Sequence, residues 1–147
     1  MPNVRSLAGA VVAAVLACHA GGPTTESGPL NGTFTLVADN GQPLPADPSA
    51  PFGCCLTLSG SLSFTATAYE IRTSHRNKNN GIDFDNVESG TYRLQEAVVH
   101  FTRTGGGGEA FPYLLAPGTL SPDGKSLTVR YGDEGPGSEQ SEFRFER

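Results

Sequence analysis

The chain has 147 residues, a formal net charge of −5, 37% hydrophobic residues, 19 glycines and 11 prolines. That length supports one domain with its own core, and the Gly and Pro content belongs to a turn-rich β protein rather than to a helical bundle. Ten basic residues scattered among fifteen acidic ones exclude a nucleic-acid surface, which needs clustered Lys and Arg to displace counterions.

The chain opens with a segment that reads as an address. Arg5 precedes an uncharged apolar run from Leu7 to Ala17, which meets Cys18 and then a stretch rich in Gly, Pro, Ser and Thr. Charge, apolar run and small residues in that order make a secretory signal. The run is far shorter than the roughly 20 residues that span a hydrocarbon core, so residues 1–17 are expected to be removed rather than kept as an anchor. Val15-Leu16-Ala17-Cys18 resembles the lipobox of bacterial lipoproteins, with a branched residue, a small residue and then the Cys that receives lipid. The resemblance implies a mature chain that begins at a lipidated Cys18. Ordinary cleavage after an A-x-A-like site is the competing reading. Several acyl chains, each burying CH₂ groups at about 0.8 kcal/mol apiece, would make attachment effectively permanent. Lipoproteins retained in the inner membrane commonly carry Asp after the Cys, whereas His19 stands here. The resemblance therefore implies the outer membrane, facing the periplasm or the cell surface.

Residues 18–30 form a flexible tether, and from Asn31 to Arg147 the pattern is period-two alternation broken by turns. Phe34 and Leu36 share a face before Asn40-Gly41. Leu56 and Leu58 share one, Leu62 and Phe64 follow after Ser59-Gly60, and then come Tyr69 and Ile71. Asn77–Gly81 is a polar turn, and Arg72, His75, Arg76 and Lys78 beside it read as a solvated hairpin end. Tyr92 and Leu94 face inward, Ala97–Arg103 is the most apolar strand, and Gly105–Gly108 reads as a flexible link. After Pro122-Asp123-Gly124, Leu127, Val129 and Tyr131 alternate, and the chain closes on Phe143 and Phe145. The pattern predicts about eight short antiparallel strands and no helix of ten or more residues. Two architectures satisfy it. One is an up-and-down barrel closed by pairing the last strand with the first, so that Phe34 and Leu36 meet Phe143 and Phe145. The other is a two-sheet sandwich.

Three cysteines leave an odd thiol in an exported chain, and lipidation of Cys18 would account for it. The adjacent pair Cys54-Cys55 is open to three readings: two small half-buried thiols, a vicinal disulfide, or soft ligands for a metal such as Cu(I). No C-x-x-C, His-Glu-x-x-His, Gly-x-Ser-x-Gly or phosphate-cradle motif occurs. His100, between Val99 and Phe101, reads as a structural imidazole. Asn77, Asn79, Asp83, Asp85 and Asn86 gather oxygen ligands, but their spacing does not fit an EF-hand loop. No metal, cofactor or catalytic set is expected.

Asn31-Gly32-Thr33-Phe34-Thr35-Leu36, Asn40–Pro45, Ser89-Gly90-Thr91-Tyr92-Arg93-Leu94, Gly118-Thr119-Leu120, Asp123–Val129 and Phe143–Arg147, in that order, resemble small bacterial lipoproteins with a lipocalin-like barrel. The resemblance covers nearly all of 31–147 and implies a fold and an envelope address without catalytic residues. A lipocalin's Gly-x-Trp signature is missing, since the chain has no Trp. Ser89-Gly90-Thr91-Tyr92 is also similar to the Ser-Gly-rich loop of periplasmic lysozyme inhibitors.

The expectation for function is a non-catalytic, lipid-anchored envelope protein acting as a binding or structural module, with the membrane and an envelope protein as partners. A carrier of a small apolar ligand is the alternative, its cavity lined by Phe34, Leu36, Leu62, Phe64, Tyr92, Leu94, Phe143 and Phe145. A third reading is a hydrolase inhibitor acting through residues 77–86.

Overall fold

A computed structural model describes residues 29–47, 53–106, 113–132 and 140–147. The leader, Cys18 and most of the tether lie outside the described residues. Nine strands follow one another: β1 (Gly32–Asp39), β2 (Gln42–Pro43), β3 (Cys55–Phe64), β4 (Ala68–Asn77), β5 (Asp83–Gln95), β6 (Val98–Gly106), β7 (Tyr113–Leu120), β8 (Ser126–Gly132) and β9 (Gln140–Glu146). No helix occurs among the described residues. Apart from β2, each strand pairs antiparallel with the next around the sheet, and β1 pairs with β9. Leu36 stands opposite Phe145 and Asp39 opposite Phe143. The product is a closed eight-stranded barrel, which removes the exposed edges that a sandwich would leave.

Local chemistry places the turns. Asn40 and Gly41 adopt positive φ (48° and 74°) and fold β2 back on β1, the left-handed pair that a tight hairpin requires and that Asn-Gly supplies at little cost. At 77–82, Asn77 Oδ1 accepts from Asn79 N and Asn80 Oδ1 accepts from Ile82 N, at 2.8 and 3.0 Å. Asp123 Oδ1 accepts from Ser121 Oγ and Lys125 N at 2.6 and 3.1 Å, closing the β7–β8 turn.

Of the four register shifts in the barrel ladders, two turn polar residues into the lumen. Leu36 pairs with Phe145 and Ala38 with Arg144, leaving Val37 as an extra residue in β1. Likewise Thr57 pairs with His75 and Ser59 with Ser74, leaving Leu58 extra in β3. An inserted residue moves every later side chain to the opposite face. Phe34 and Leu36 thus give way to an inward Asp39, and Leu62 and Phe64 share their side with Thr57 and Cys55. The β6–β7 ladder is the shortest in the wall, with only Val98–Thr119 and Val99–Gly118 paired among the described residues.

Around the β3–β4, β5–β6 and β7–β8 turns the lumen is apolar. Phe34, Leu62, Val99, Leu127 and Phe145 are fully buried there, with Phe64, Tyr69 and Leu94 nearly so. The rings meet edge to face: Phe34 and Phe64 at 5.8 Å, Phe64 and Tyr92 at 4.8 Å, Tyr69 and Phe101 at 4.9 Å. Each large apolar side chain so buried contributes about 1.5–3 kcal/mol. Arg147 closes this end, its guanidinium 4.6 Å above the Phe34 ring and donating to the carbonyls of Gly124 and Asn31. Tyr92 OH donates to the Leu30 and Thr65 carbonyls at 2.8 and 2.9 Å.

Gly90 is where β5 passes beneath Tyr69. A Cβ there would run into the Thr102 carbonyl oxygen and lie 2.7 Å from Tyr69 Cε1 and 2.9 Å from Arg103 Cα. Backbone cannot yield as a flexible side chain does, so Gly90→Ala is expected to destabilise the domain by about 1–3 kcal/mol. The shift of the urea midpoint at constant slope measures it.

Candidate functional site

The opposite end of the lumen is polar. It lies inside the ends of β1, β4, β6 and β8 and the starts of β3, β5, β7 and β9, and it gathers Asp39, Thr57, Thr73, His75, Asn86, Glu88 and Ser141, all buried, together with buried Tyr131. Each occupies an inward position of its strand. Thr73 and His75 continue the face of Tyr69 and Ile71 on β4, Asn86 and Glu88 continue the face of Tyr92 and Leu94 on β5, and the bulges turn Asp39 and Thr57 inward.

Hydrogen bonds join these side chains into a chain across β1, β3 and β4. Thr57 Oγ1 donates to Asp39 Oδ2 at 2.8 Å. A hydroxyl has one proton, so the 3.4 Å contact between Thr57 Oγ1 and His75 Nδ1 assigns the proton to Nδ1. His75 Nε2 then accepts from Thr73 Oγ1 at 2.9 Å. Ser141 lies against the Asp39 carboxylate and accepts from Asn40 Nδ2 at 3.3 Å, while Asn40 Oδ1 accepts from Glu142 N at 2.8 Å. Thr73 and Asn86 face the Tyr131 hydroxyl. Tyr69 OH donates to Glu88 Oε1 at 2.6 Å, joining the polar layer to the apolar floor. The His75 ring stacks on Phe84 at 5.5 Å, and Tyr131 stacks on Phe143 at 4.8 Å.

Burial governs the protonation of this layer. It pushes the His75 imidazole down to about 4 against an opposing pull from Asp85, so the ring is neutral near pH 7. Burial raises the Asp39 carboxyl, while bonds from Thr57 and Ser141 hold it lower. Tyr131 is pushed up to about 12, chiefly by burial. Tyr69 is raised far above its ordinary value by burial and by its bond to Glu88. The charges of Glu88 and Arg103 act on both tyrosines in opposite senses.

No family model matches the chain, and no curated protein or solved structure matches it. The site must therefore be read from its own chemistry. It holds acceptors, hydroxyls and a neutral imidazole, with the Thr73 hydroxyl donating to His75 Nε2 and the Thr57 proton committed to Asp39. Among the described residues, no three His, Cys, Asp or Glu side chains converge on a metal position.

The residues singled out from sequence fall in different places. Phe34, Leu36, Leu62, Phe64, Leu94, Phe143 and Phe145 are buried in the lumen with Tyr92 packed against them, and they contact one another. Cys54 and Cys55 are joined in a vicinal disulfide, with Cys55 in the core and Cys54 exposed. His100 is half-buried. Cys18 lies outside the described residues.

Two expectations need correction. His75 does not belong to a solvated basic hairpin end: it is fully buried, while Arg76 pairs with Asp83 and Lys78 with Asp47 outside. Gly105 and Gly106 belong to β6 rather than to a link. Within the oxygen-rich stretch 77–86, Asn77 and Asn80 cap their own turn, Asp83 binds Arg76 and Asn86 enters the lumen. Sequence reasoning missed Asp39, Thr57, Thr73, Asn86, Glu88 and Ser141 as site residues.

A shallow trough of about 290 Å³ also lies on the outer wall, lined by Ser59, Gly60, Ser61, Arg72, Thr73, Ser74, Asp85 and Val87. Small side chains over the β3 bulge create it.

Proposed function

We propose that this protein is a non-catalytic binding module of the bacterial cell envelope, anchored by lipid on Cys18, that holds a small ligand in the polar end of its barrel. The observation that carries the reading is the composition of the lumen. A barrel that only had to fold would fill its interior with aliphatic and aromatic side chains, since buried polar groups stabilise nothing until each is paired. Here half the lumen is given over to a polar layer built across six strands.

This reading is favoured over a carrier of an apolar ligand because Phe34, Phe64 and Tyr92 spend their faces on one another. It is favoured over a hydrolase inhibitor working through residues 77–86 because those residues are taken up by β4, a short turn and β5. The Leu7–Ala17 run and Val15-Leu16-Ala17-Cys18 support the anchor.

Two measurements on the full chain test the proposal. Radioactive palmitate is expected to label the wild type in bacteria and to be absent from Cys18→Ala, and globomycin should leave the leader attached. Labelling that persists in Cys18→Ala ends the anchor reading. Native mass spectrometry is expected to show a small polar adduct, and its absence at every step of a gentle purification counts against the binding reading.

A further inference from the structure

We propose that the Cys54–Cys55 disulfide is a reversible thiol–disulfide exchange site at the polar end of the barrel, opened by a dithiol that attacks Cys54 and re-closed by Cys55. The bond joins sequence neighbours, yet the two residues have unlike surroundings. Cys54 is exposed in a turn, whereas Cys55, the first residue of β3, is 1% exposed and packed into the core. Exchange needs access to the sulfur under attack. A nucleophile from solvent therefore reaches Cys54 and is kept from Cys55.

One thiolate of the dithiol attacks Cys54 Sγ, forming a mixed disulfide and breaking the Cys54–Cys55 bond. The electron pair of the broken bond stays on Cys55 Sγ, which takes up a proton. The second thiolate of the reagent then attacks the reagent sulfur of the mixed disulfide and closes a cyclic disulfide, while the electron pair passes to Cys54 Sγ, which is protonated in turn. Two electrons have moved from the dithiol to the protein. A monothiol completes the exchange only through a second molecule, in competition with Cys55 one residue away, which expels the first from Cys54.

Opening the bond also changes the strand. Successive side chains of a strand point to opposite faces, so regular extended chain does not bring the sulfurs of neighbouring residues together. Cys55 and Thr57 take inward places, and β3 begins at Cys55 with Gly53 and Cys54 in a turn. The partner strand is already in position for a longer ladder: Cys55 pairs with Asn77, and Lys78 N donates to the Cys54 carbonyl at 2.7 Å. Freed from Cys55, Cys54 turns outward and adds a rung opposite Lys78. The redox state thus sets how far β3 extends at the end of the barrel where Thr57 holds Asp39.

The full chain, treated with dithiothreitol under native conditions and then with iodoacetamide, tests this by tandem mass spectrometry, which distinguishes the pair from Cys18. The expected result is alkylation of Cys54, with Cys55 protected until urea is added. In an unalkylated sample the bond should return when oxidised glutathione, a disulfide oxidant, replaces the reductant. Oxidised glutathione should leave a stable mixed disulfide on Cys54 in Cys55→Ala and none on Cys55 in Cys54→Ala, and the wild-type alkylation stands if either variant does not fold. Hydrogen exchange of the Cys54 amide should slow about tenfold or more on reduction. A bond that dithiothreitol opens only in urea, alkylation of Cys55 first or equally, or a Cys54 amide that exchanges at the same rate in both states overturns the proposal. Loss of the cooperative urea transition on reduction overturns it as well, since the bond would then hold the fold together rather than exchange within it.

Discussion

Phe143→Ala is expected to remove about 3–5 kcal/mol of folding free energy, the range for deleting a fully buried ring whose neighbours cannot collapse into the gap. Phe143 is at the junction of the two halves of the lumen. Its ring stacks on Tyr131 at 4.8 Å and meets the edge of Phe145 at 6.2 Å, and its backbone lies opposite Asp39 on β1 and Val129 on β8. The loss is a large share of the 5–15 kcal/mol that holds an ordinary domain together. It falls on the β1–β9 pairing that closes the barrel. Urea unfolding of the variant should give a much lower midpoint with an unchanged slope. A loss below 1 kcal/mol would mean that β9 does not pack into the lumen as described.

The second large effect is on acid stability. In the unfolded chain the His75 ring takes up its proton near its ordinary value of 6.5, whereas in the barrel burial delays this to about 4. Between those values the unfolded state binds the additional proton. Stability is therefore lost as pH falls from about 6.5 to about 4, and this contribution levels off below. The difference corresponds to about 3 kcal/mol. Asp39 works in the other direction. Its carboxyl is raised above the ordinary 3.8, so the native state takes up that proton first and regains stability as pH falls through the raised value. His75→Gln separates the two. The wild type should weaken between pH 7 and pH 4.5 by urea titration, and the variant should lose little of its stability over the same interval. Equal acid losses in both proteins would show that His75 is not the buried base.

The strands and the apolar lumen are legible in the sequence because period-two alternation with one buried face leaves a direct trace, and Phe34, Leu36, Leu62, Phe64, Tyr92, Leu94, Phe143 and Phe145 all carry it. The polar layer left a fainter one. Running the Tyr69–Ile71 alternation two steps further points Thr73 and His75 inward, and running Tyr92 and Leu94 backwards reaches Glu88 and Asn86. The charged neighbours Arg72, Arg76, Asp83 and Asp85 hide that signal by making the segment look like a solvated hairpin end. Asp39 and Thr57 left no trace of this kind. Asp39 adjoins a turn, and Thr57 is flanked by Leu56 and Leu58, which hold the apolar positions while facing outward. Only the extra residue in each strand explains the exchange, and a bulge is decided by pairing across the sheet, not by local propensity.

Those extra residues, Val37 and Leu58, act as phase shifters. Each lies inside its strand, so the two ends of the tube have separate reading frames in β1 and β3. Losing one such residue would swap inside for outside at the mouth and leave the greasy base untouched. The chemistry that faces a visitor can thus be rewritten by small insertions or deletions without renegotiating the packing that keeps the tube upright.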